Sequence, residues 1–169
     1  MDFLVLGPLG QRQGNRWEET GRNVISHIFV YFDERSVVSI SFGFIEKGAL
    51  VLSRAYGFAD TVICSVRIVR LNHESEFVTG LSGEWTGDFI TCLNFHTNEK
   101  THEAFRSNFI FEEEDKIDRR EFHSGIHDRS EFGGFFGSCS DDDRLLSIGF
   151  YIQPILQGVN LTHREVWPL

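Results

Sequence analysis

Three consecutive carboxylates, Asp141, Asp142 and Asp143, stand between two apolar runs in the segment GGFFGSCSDDDRLLSIGF (133–150). They could form a metal cage, a catalytic acid pair, a set of acceptors for a hydroxyl-rich ligand, or a solvated loop tip. A metal cage needs carboxylates that converge from different segments, which three neighbours do not supply. Catalysis needs two carboxylates across a cleft, with one of them desolvated. The pattern therefore favours a solvated turn or a ligand acceptor over a metal site or an enzyme.

The histidines give no stronger indication of a site. His123 and His127 are four residues apart, but a glycine and many charges surround them, which is typical of a solvated loop rather than a ligand pair. His96 and His102 flank the hairpin-like turn TNEKT and are expected at the surface. We expect neither a metal nor a cofactor.

The three cysteines are an odd number without close spacing, so neither a disulfide framework nor a zinc knuckle is indicated. Cys139 is expected in a loop, where it could be modified, whereas Cys64 and Cys92 are expected in buried strands. The opening MDFLVLGPLG has no basic leader and no apolar run long enough to span a membrane. These features predict a soluble, cytoplasmic protein with reduced thiols and no membrane partner.

Bulk composition limits the classes of partner. The 169 residues, 41% of them hydrophobic, are enough for one globular domain with a full core. The formal net charge of −9 argues against a nucleic-acid partner, because such binding needs a basic face. The 17 phenylalanines are best explained as core filling.

Strand patterns run through almost the whole chain. β-branched and aromatic runs alternate with charged or glycine-containing turns, and no stretch keeps helical spacing for three turns. Strands are predicted at 24–32, 36–44, 49–55, 65–71, 76–83, 88–95, 107–113, 132–137 and 145–152. The charge-rich segment 113–130 is expected to be a connection or an irregular edge strand. One domain is predicted for 1–153, followed by a C-terminal tail at 154–169.

A repeat supports three similar units. VVSISF, ITCLNF and LLSIGF share one pattern, and their last residues, Phe42, Phe95 and Phe150, are 53 and 55 residues apart. A single hairpin or small sheet does not bury its apolar face alone, so three would close on one another. The repeat predicts three sheets around a shared core, with the three phenylalanines equivalent about a pseudo-threefold axis.

Several segments, in order, resemble the jacalin-related plant lectins. They are GPLGQRQGNRWEETG, LNHESEFVTGLSGEW, ITCLNFHTN and FGGFFG…LLSIGFY, and they span most of the chain, from about Gly7 to Tyr151. The resemblance implies an all-β fold, the β-prism I of three four-stranded sheets with pseudo-threefold symmetry. It also implies a mannose- or galactose-type sugar as ligand, and homodimers formed through edge strands.

The resemblance further implies a sugar site at one end of the prism. Gly10 and Gly14 belong to the glycine-rich first loop, and Trp85 and Thr86 to a variable middle loop, where Trp85 is either an aromatic platform or a packing residue. The last hairpin contributes a third group of site residues. These are Gly137, Ser138, Cys139, Ser140, Asp141, Asp142 and Asp143. Trp17 matches a tryptophan of the family's opening segment that is expected to be structural.

The chain departs from the family pattern at this site. Leu146 stands before the triplet Ser147-Ile148-Gly149, where the family carries the aspartate that accepts from the sugar. The loop is also about two residues longer, and Gln11 replaces a glycine after Gly10. A bound sugar would have to take its acceptor from the three aspartates.

Two functions are consistent with these features. One is a lectin for mannose- or glucose-type glycans in plant stress or pathogen defence. The other is a protein-interaction module that kept the prism and lost the sugar, for example in virus restriction.

Overall fold

The computed structural model describes residues 3–112 and 115–154, which form twelve strands and one three-residue 3₁₀ helix, Arg129–Glu131. The strands are β1 (Leu4–Gly10), β2 (Asn15–Thr20), β3 (Ile25–Phe32), β4 (Val37–Glu46), β5 (Ala49–Leu52), β6 (Ser65–Arg70), β7 (Val78–Thr86), β8 (Phe89–Thr97), β9 (Thr101–Arg106), β10 (Asp118–His123), β11 (Phe132–Cys139) and β12 (Leu145–Ile152). In this part of the chain no helix is both long and apolar enough to cross a membrane.

The strands build three four-stranded antiparallel sheets, ordered β1-β12-β11-β2, β10-β7-β8-β9 and β5-β4-β3-β6. Each sheet has a hairpin at its centre, formed by β11 and β12, β7 and β8, or β3 and β4. The inner faces of the three sheets share one hydrophobic core. The all-β prediction and the predicted β-prism of three four-stranded sheets are confirmed.

The three repeated phenylalanines lie at the centre of this core. Phe42, Phe95 and Phe150 are fully buried, and each lies on the inner face of a central strand in a different sheet. Phe135 joins two of the sheets to the third, since its ring stacks on Phe42 at 4.5 Å and meets Phe95 edge-on at 6.0 Å. The predicted equivalence of the three positions is confirmed.

One predicted strand needs correction. Residues 107–112, the described part of a predicted strand, are not a strand: the Ser107 hydroxyl accepts from the Phe109 N–H at 3.1 Å and turns the backbone. The charge-rich segment forms edge strand β10, so its edge-strand alternative is correct. Residues 155–169 of the predicted tail lie outside the described residues.

Loops from all three sheets meet at one end of the prism. Backbone hydrogen bonds connect the β1–β2 and β5–β6 loops to the β11–β12 hairpin, through Gln11 to Leu146 and Phe58 to Asp143. Arg144 of that hairpin contacts Asp33 in the β3–β4 turn and Phe89 at the start of β8. We call this end, with segments 11–14, 33–36, 53–64, 87–88, 107–112, 115–117 and 140–144, the loop end.

Candidate functional site

The first loop lies directly on the last hairpin. Gly10 and Gly14 have φ angles of +91° and +96°, which favour glycine. A β-carbon at Gly10 would collide with the carbonyl oxygen of Leu146, and one at Gly14 with that of Cys139. The Gln11 N–H donates to the Leu146 carbonyl at 3.1 Å. The two glycines are therefore required for the close approach of the two loops that the resemblance assigns to the sugar site.

The aspartate run forms a tight hairpin loop. The Asp143 N–H donates to the Ser140 carbonyl at 2.9 Å, and the Ser140 N–H donates to the Arg144 carbonyl at 2.8 Å. Asp143 has a φ of +64°, so the loop is a three-residue turn whose last residue is left-handed. Aspartate tolerates that conformation better than most residues do. The N–H groups of Ser140 and Asp143 are thus engaged within the protein.

The three aspartates have different partners. Asp141 Oδ1 lies 3.5 Å from the Asn15 Nδ2 at the start of β2, beside the first loop. Asp142 accepts from the Ser140 hydroxyl, which lowers the pKa of its carboxyl group. The carbonyl of Asp143 accepts from the Phe58 N–H at 2.6 Å. Asp141 is therefore the carboxylate that lies beside the first loop.

Leu146 replaces the expected acceptor with a buried apolar side chain. It is 5% exposed, and a β-carbon built at Gly14 would lie 3.0 Å from its Cδ1. The side chain thus packs against the first loop instead of offering an oxygen. A sugar at this position would meet no carboxylate from residue 146.

Arg144 fixes the hairpin to the neighbouring sheet. It donates to Asp33 Oδ2 at 3.1 Å and to the Ser36 hydroxyl, and its guanidinium lies 5.2 Å from the centre of the Phe89 ring. Burial alone raises the pKa of Asp33, but the N–H groups of Ser36 and Arg35, together with Arg144, lower it below its ordinary value. These contacts hold the base of the aspartate loop in place.

A pocket of about 540 Å³ opens at the loop end beside the first loop. Its described lining includes Gln11 and Thr86 together with three aromatic side chains, Phe89, Phe109 and Phe111. Thr86 is buried, and its Oγ1 has no hydrogen-bond partner among the described residues. The three aspartates are not among the described residues that line this pocket. The pocket therefore lies at the Gln11 end of the first loop. Asp141 lies beside the other end of that loop, near Asn15.

Trp85 and Thr86, which were predicted in the middle loop, are the last two residues of strand β7 and have different surroundings. Thr86 lines the pocket, whereas Trp85 is partly buried and packs against the hydrophobic core. The aromatic surface comes instead from Phe89, Phe109 and Phe111, which the strand pattern did not single out. The run SNFIF (107–111) is the sequence feature that contains two of these rings, but its pattern predicts an ordinary strand. The turned backbone of this run brings the Phe109 and Phe111 rings to the pocket.

Three predicted site residues of the last hairpin lie inside strand β11. Gly137 leaves room for Trp17, whose ring carbon Cζ2 would be 2.6 Å from an added β-carbon. The Ser138 hydroxyl is buried and shares a 2.6 Å hydrogen bond with Ser147. Cys139 is buried, and burial raises the pKa of its thiol to about 11. These residues support the loop, and the expectation of an accessible Cys139 in a loop was wrong.

Cys64 is the more accessible of the thiols. It lies outside the strands, just before β6, and is partly exposed, so the expectation of a buried strand position was wrong for Cys64. Cys92 is buried in β8, as expected. All three cysteines are free thiols. Trp17 is buried and stacks on Tyr56 at 4.2 Å, so its structural role is confirmed.

Comparison with known proteins identifies the class. The family model described as "Jacalin-like lectin domain" matches residues 6–151. The chain is 42% identical over 157 residues to Jacalin-related lectin 24 of Arabidopsis thaliana, covering 90% of this chain and 69% of that protein. It is 36% identical over 190 residues to Jacalin-related lectin 25 of the same plant, covering 91% and 60%. The chain belongs to the jacalin-like lectin domain family, whose members are carbohydrate-binding proteins rather than enzymes.

Three further proteins are similar to this chain. Protein RESTRICTED TEV MOVEMENT 1 of Arabidopsis thaliana is 29% identical over 163 residues, covering 89% of this chain and 87% of that protein. The structure of Calystegia sepium agglutinin superposes with a TM-score of 0.69 at 19% identity, covering 92% of this chain and 99% of that chain. The artocarpin–mannotriose complex gives a TM-score of 0.65 at 21% identity, covering 91% and 99%. The structural likeness shows the shared fold.

Proposed function

We propose that the chain binds mannose- or glucose-type glycans at the loop end and acts in plant stress or pathogen defence. The observation that carries this proposal is the direct packing of the Gly10–Gly14 loop on the last hairpin, next to an open pocket. Artocarpin, which shares the fold, has been solved with mannotriose, and that fact supports the choice of ligand class.

The acceptor for the sugar is proposed to be Asp141. A hexose presents hydroxyls that donate and accept, so its site needs a carboxylate acceptor beside donor groups. Leu146 offers none, whereas Asp141 is exposed and lies beside the start of β2. The proposed acceptor thus lies at Asp141, in the turn of the hairpin, instead of at position 146.

Because Asp141 does not line the pocket, a further sugar unit of the same glycan is proposed to lie with its apolar face on the aromatic wall of the pocket. Phe89 and Phe109 present rings there, and Arg35 lies 5.7 Å and 4.8 Å from their centres. An aromatic face covers the C–H groups of a sugar, while Gln11 and Thr86 supply polar atoms at the same pocket.

Titration against mannose-rich glycans tests the acceptor. Wild type is compared with a variant in which Asp141, Asp142 and Asp143 are all changed to Asn. The matched control changes Glu46, Glu74 and Glu99 to Gln, which alters the net charge equally at the opposite end. Loss of a charged hydrogen bond costs about 1.5–3 kcal/mol, so the Asp variant should bind roughly ten- to a hundredfold more weakly. Equal binding by wild type and the Asp variant would refute the assignment.

A second function is a protein-interaction module, for example in virus restriction. Two observations favour it: the buried Leu146 in place of the acceptor, and the exposed side chains of Phe58, Val62 and Ile63 in the loop beside the hairpin. The similarity to Protein RESTRICTED TEV MOVEMENT 1 is compatible with such a role. If wild type binds no glycan and Leu146→Asp gains binding, the chain is a former lectin and this second function is preferred.

The proposal also includes a cytoplasmic location and a homodimer formed through edge strands. In a reducing compartment the three free thiols would stay reduced. Cell fractionation tests the location. Sedimentation of the purified chain over a range of concentrations tests the dimer.

A further inference from the structure

The outer face of the sheet β10-β7-β8-β9 brings together two histidines and a glutamate that are distant in sequence. The strand register pairs Gly80 of β7 with His123 of β10 on one side and with His96 of β8 on the other. Glu121 of β10 is paired with Ser82, the next outward-facing residue of β7. His96, Glu121 and His123 therefore share one patch of the sheet surface.

Gly80 permits the two imidazoles to meet. Because glycine has no side chain, nothing from β7 separates His96 from His123, and their ring centres are 4.7 Å apart. A β-carbon at Gly80 would lie 2.6 Å from the Phe122 carbonyl oxygen and 3.0 Å from His123 Nδ1. A larger residue would push the edge strand and its histidine away.

The ligand atoms converge. Glu121 Oε1 lies 3.0 Å from His123 Nε2 and 3.9 Å from His96 Nε2, and each of the three side chains has a ligand atom within 4.8 Å of the others. Among the described residues this is the one group of three His, Cys, Asp or Glu side chains with that property. Donor atoms on one zinc ion, bound at about 2.0–2.1 Å, lie roughly 3.3–3.5 Å from one another. Small side-chain rotations would bring this group to that spacing.

One of the two histidines is already oriented. The His96 side chain is 12% exposed, and its Nδ1 is hydrogen-bonded to the Thr101 hydroxyl at 2.8 Å. A partner on one ring nitrogen fixes the tautomer and direction of the other, as for metal-bound histidines generally. His96 Nε2 contacts the Ser82 hydroxyl at 2.8 Å, and an ion would displace that hydrogen bond. Glu121 and His123 are exposed and free to adjust.

The charges near the patch suit a cation. The arginines that line the same groove as Glu121 have other partners. Arg119 is paired with Glu84 at 2.7 Å, and Arg106 with Glu84 and Glu103. Arg120 donates to the Pro8 carbonyl at 3.0 Å. A ligand set of two imidazole nitrogens and one carboxylate would carry one negative charge when it binds an ion. Two imidazole nitrogens and one carboxylate oxygen, with open positions for water, match the ligand preferences of zinc and of other divalent transition metals.

We infer that His96, Glu121 and His123 form a binding site for a divalent transition-metal ion, with Zn²⁺ as the probe. The site is independent of the proposed sugar site, since it lies on the outer face of one sheet and not at the loop end. It also ties edge strand β10 to β8 across β7.

Calorimetric titration of the untagged full chain with Zn²⁺ tests the site. Wild type should bind one ion, and His123→Gln and Glu121→Gln should each weaken binding at least about tenfold. These side chains are exposed, so their variants are expected to fold. His127→Gln is the matched control, because His127 is exposed and outside the cluster. Cys64→Ser removes the accessible thiol, which is an alternative ligand for Zn²⁺, and this variant should bind Zn²⁺ as wild type does.

Nuclear magnetic resonance gives a second measurement that does not depend on the variants. Zn²⁺ should shift the imidazole signals of His96 and His123 together, and a chelator should reverse the shift. No binding by wild type would overturn the inference. Binding unchanged by His123→Gln and Glu121→Gln, or lost in Cys64→Ser, would overturn it as well.

Discussion

Gly10 and Leu146 are in direct backbone contact at the loop end, with no space for a β-carbon on Gly10. This contact joins the first loop to the last hairpin. Gly10→Ala should therefore lower the free energy of unfolding by the cost of the positive φ, about 1–2 kcal/mol, and by a further amount for the clash. Urea denaturation measures the change.

Gly21→Ala is the matched control for that substitution. Gly21 also has a positive φ, +84°, but an added β-carbon would meet nothing within 4 Å. Gly21→Ala should therefore lower the free energy of unfolding by the cost of the positive φ alone. If Gly10→Ala destabilises no more than Gly21→Ala, the contact with Leu146 does not constrain the first loop.

Glu76 should give the fold an acid-sensitive contribution to stability. It is 4% exposed and accepts from His102 Nε2 at 2.7 Å, the Thr97 hydroxyl at 2.6 Å and the Asn72 N–H at 2.9 Å. Burial raises its pKa, but these hydrogen bonds outweigh burial and lower the pKa below the ordinary 4.5. The stabilisation is fully present above pH 4.5 and is lost as the pH falls through the lowered folded pKa.

Glu76→Gln should therefore cost about 1.5–3 kcal/mol of unfolding free energy at pH 7. The difference from wild type should shrink on acidification below the ordinary carboxyl pKa, as measured by urea midpoints across that range. Glu74→Gln, at an exposed neighbour, should change little at any pH. A difference for Glu76→Gln that is independent of pH would contradict the assignment.

Arg144 and Asp33 should be energetically coupled. Their side chains are about three-quarters buried, at 24% and 23% exposure, and are joined at 3.1 Å. A double-mutant cycle with Arg144→Gln and Asp33→Asn should give a coupling energy of about 1 kcal/mol. Additive effects in the cycle would show that the ion pair does not hold the hairpin.

The cysteines should differ in reactivity. Burial raises the pKa of the Cys139 thiol to about 11, so almost no thiolate is present near neutral pH. Iodoacetamide at pH 7.5 followed by mass spectrometry should modify partly exposed Cys64 first and leave Cys92 and Cys139 unmodified until the chain unfolds. Faster modification of Cys139 would show that the hairpin opens readily.

The repeated pattern was sufficient to predict the centre of each sheet. Strand β12 begins and ends where its apolar run predicts, at Leu145 and Ile152, because both faces of that strand are buried. Strand β2 shows the opposite case, since only Trp17 of its six residues is buried and the rest read as a polar loop. Edge strands with one exposed face give a weak hydrophobic signal.

The candidate site was only partly predictable. Gly10 and Gly14 indicated the first loop of the site, and the structure explains why glycine stands at both positions, since both have positive φ angles. The pocket aromatics Phe109 and Phe111 depend on a turn at Ser107 that hydrophobic periodicity does not encode. His96 and His123 are close together because both are paired with Gly80, one from each neighbouring strand. The sequence alone does not give the register of these three strands.

The most direct test of the proposed function is chemical-shift mapping with a mannotriose on isotope-labelled wild type. Glycan binding at the loop end should give concentration-dependent shifts of backbone amides in segments 11–14 and 140–144, with smaller shifts at Thr86 and Phe89. Saturable shifts confined to another face of the prism would contradict it. So would the absence of any shift at millimolar sugar, the range of the weakest specific binding.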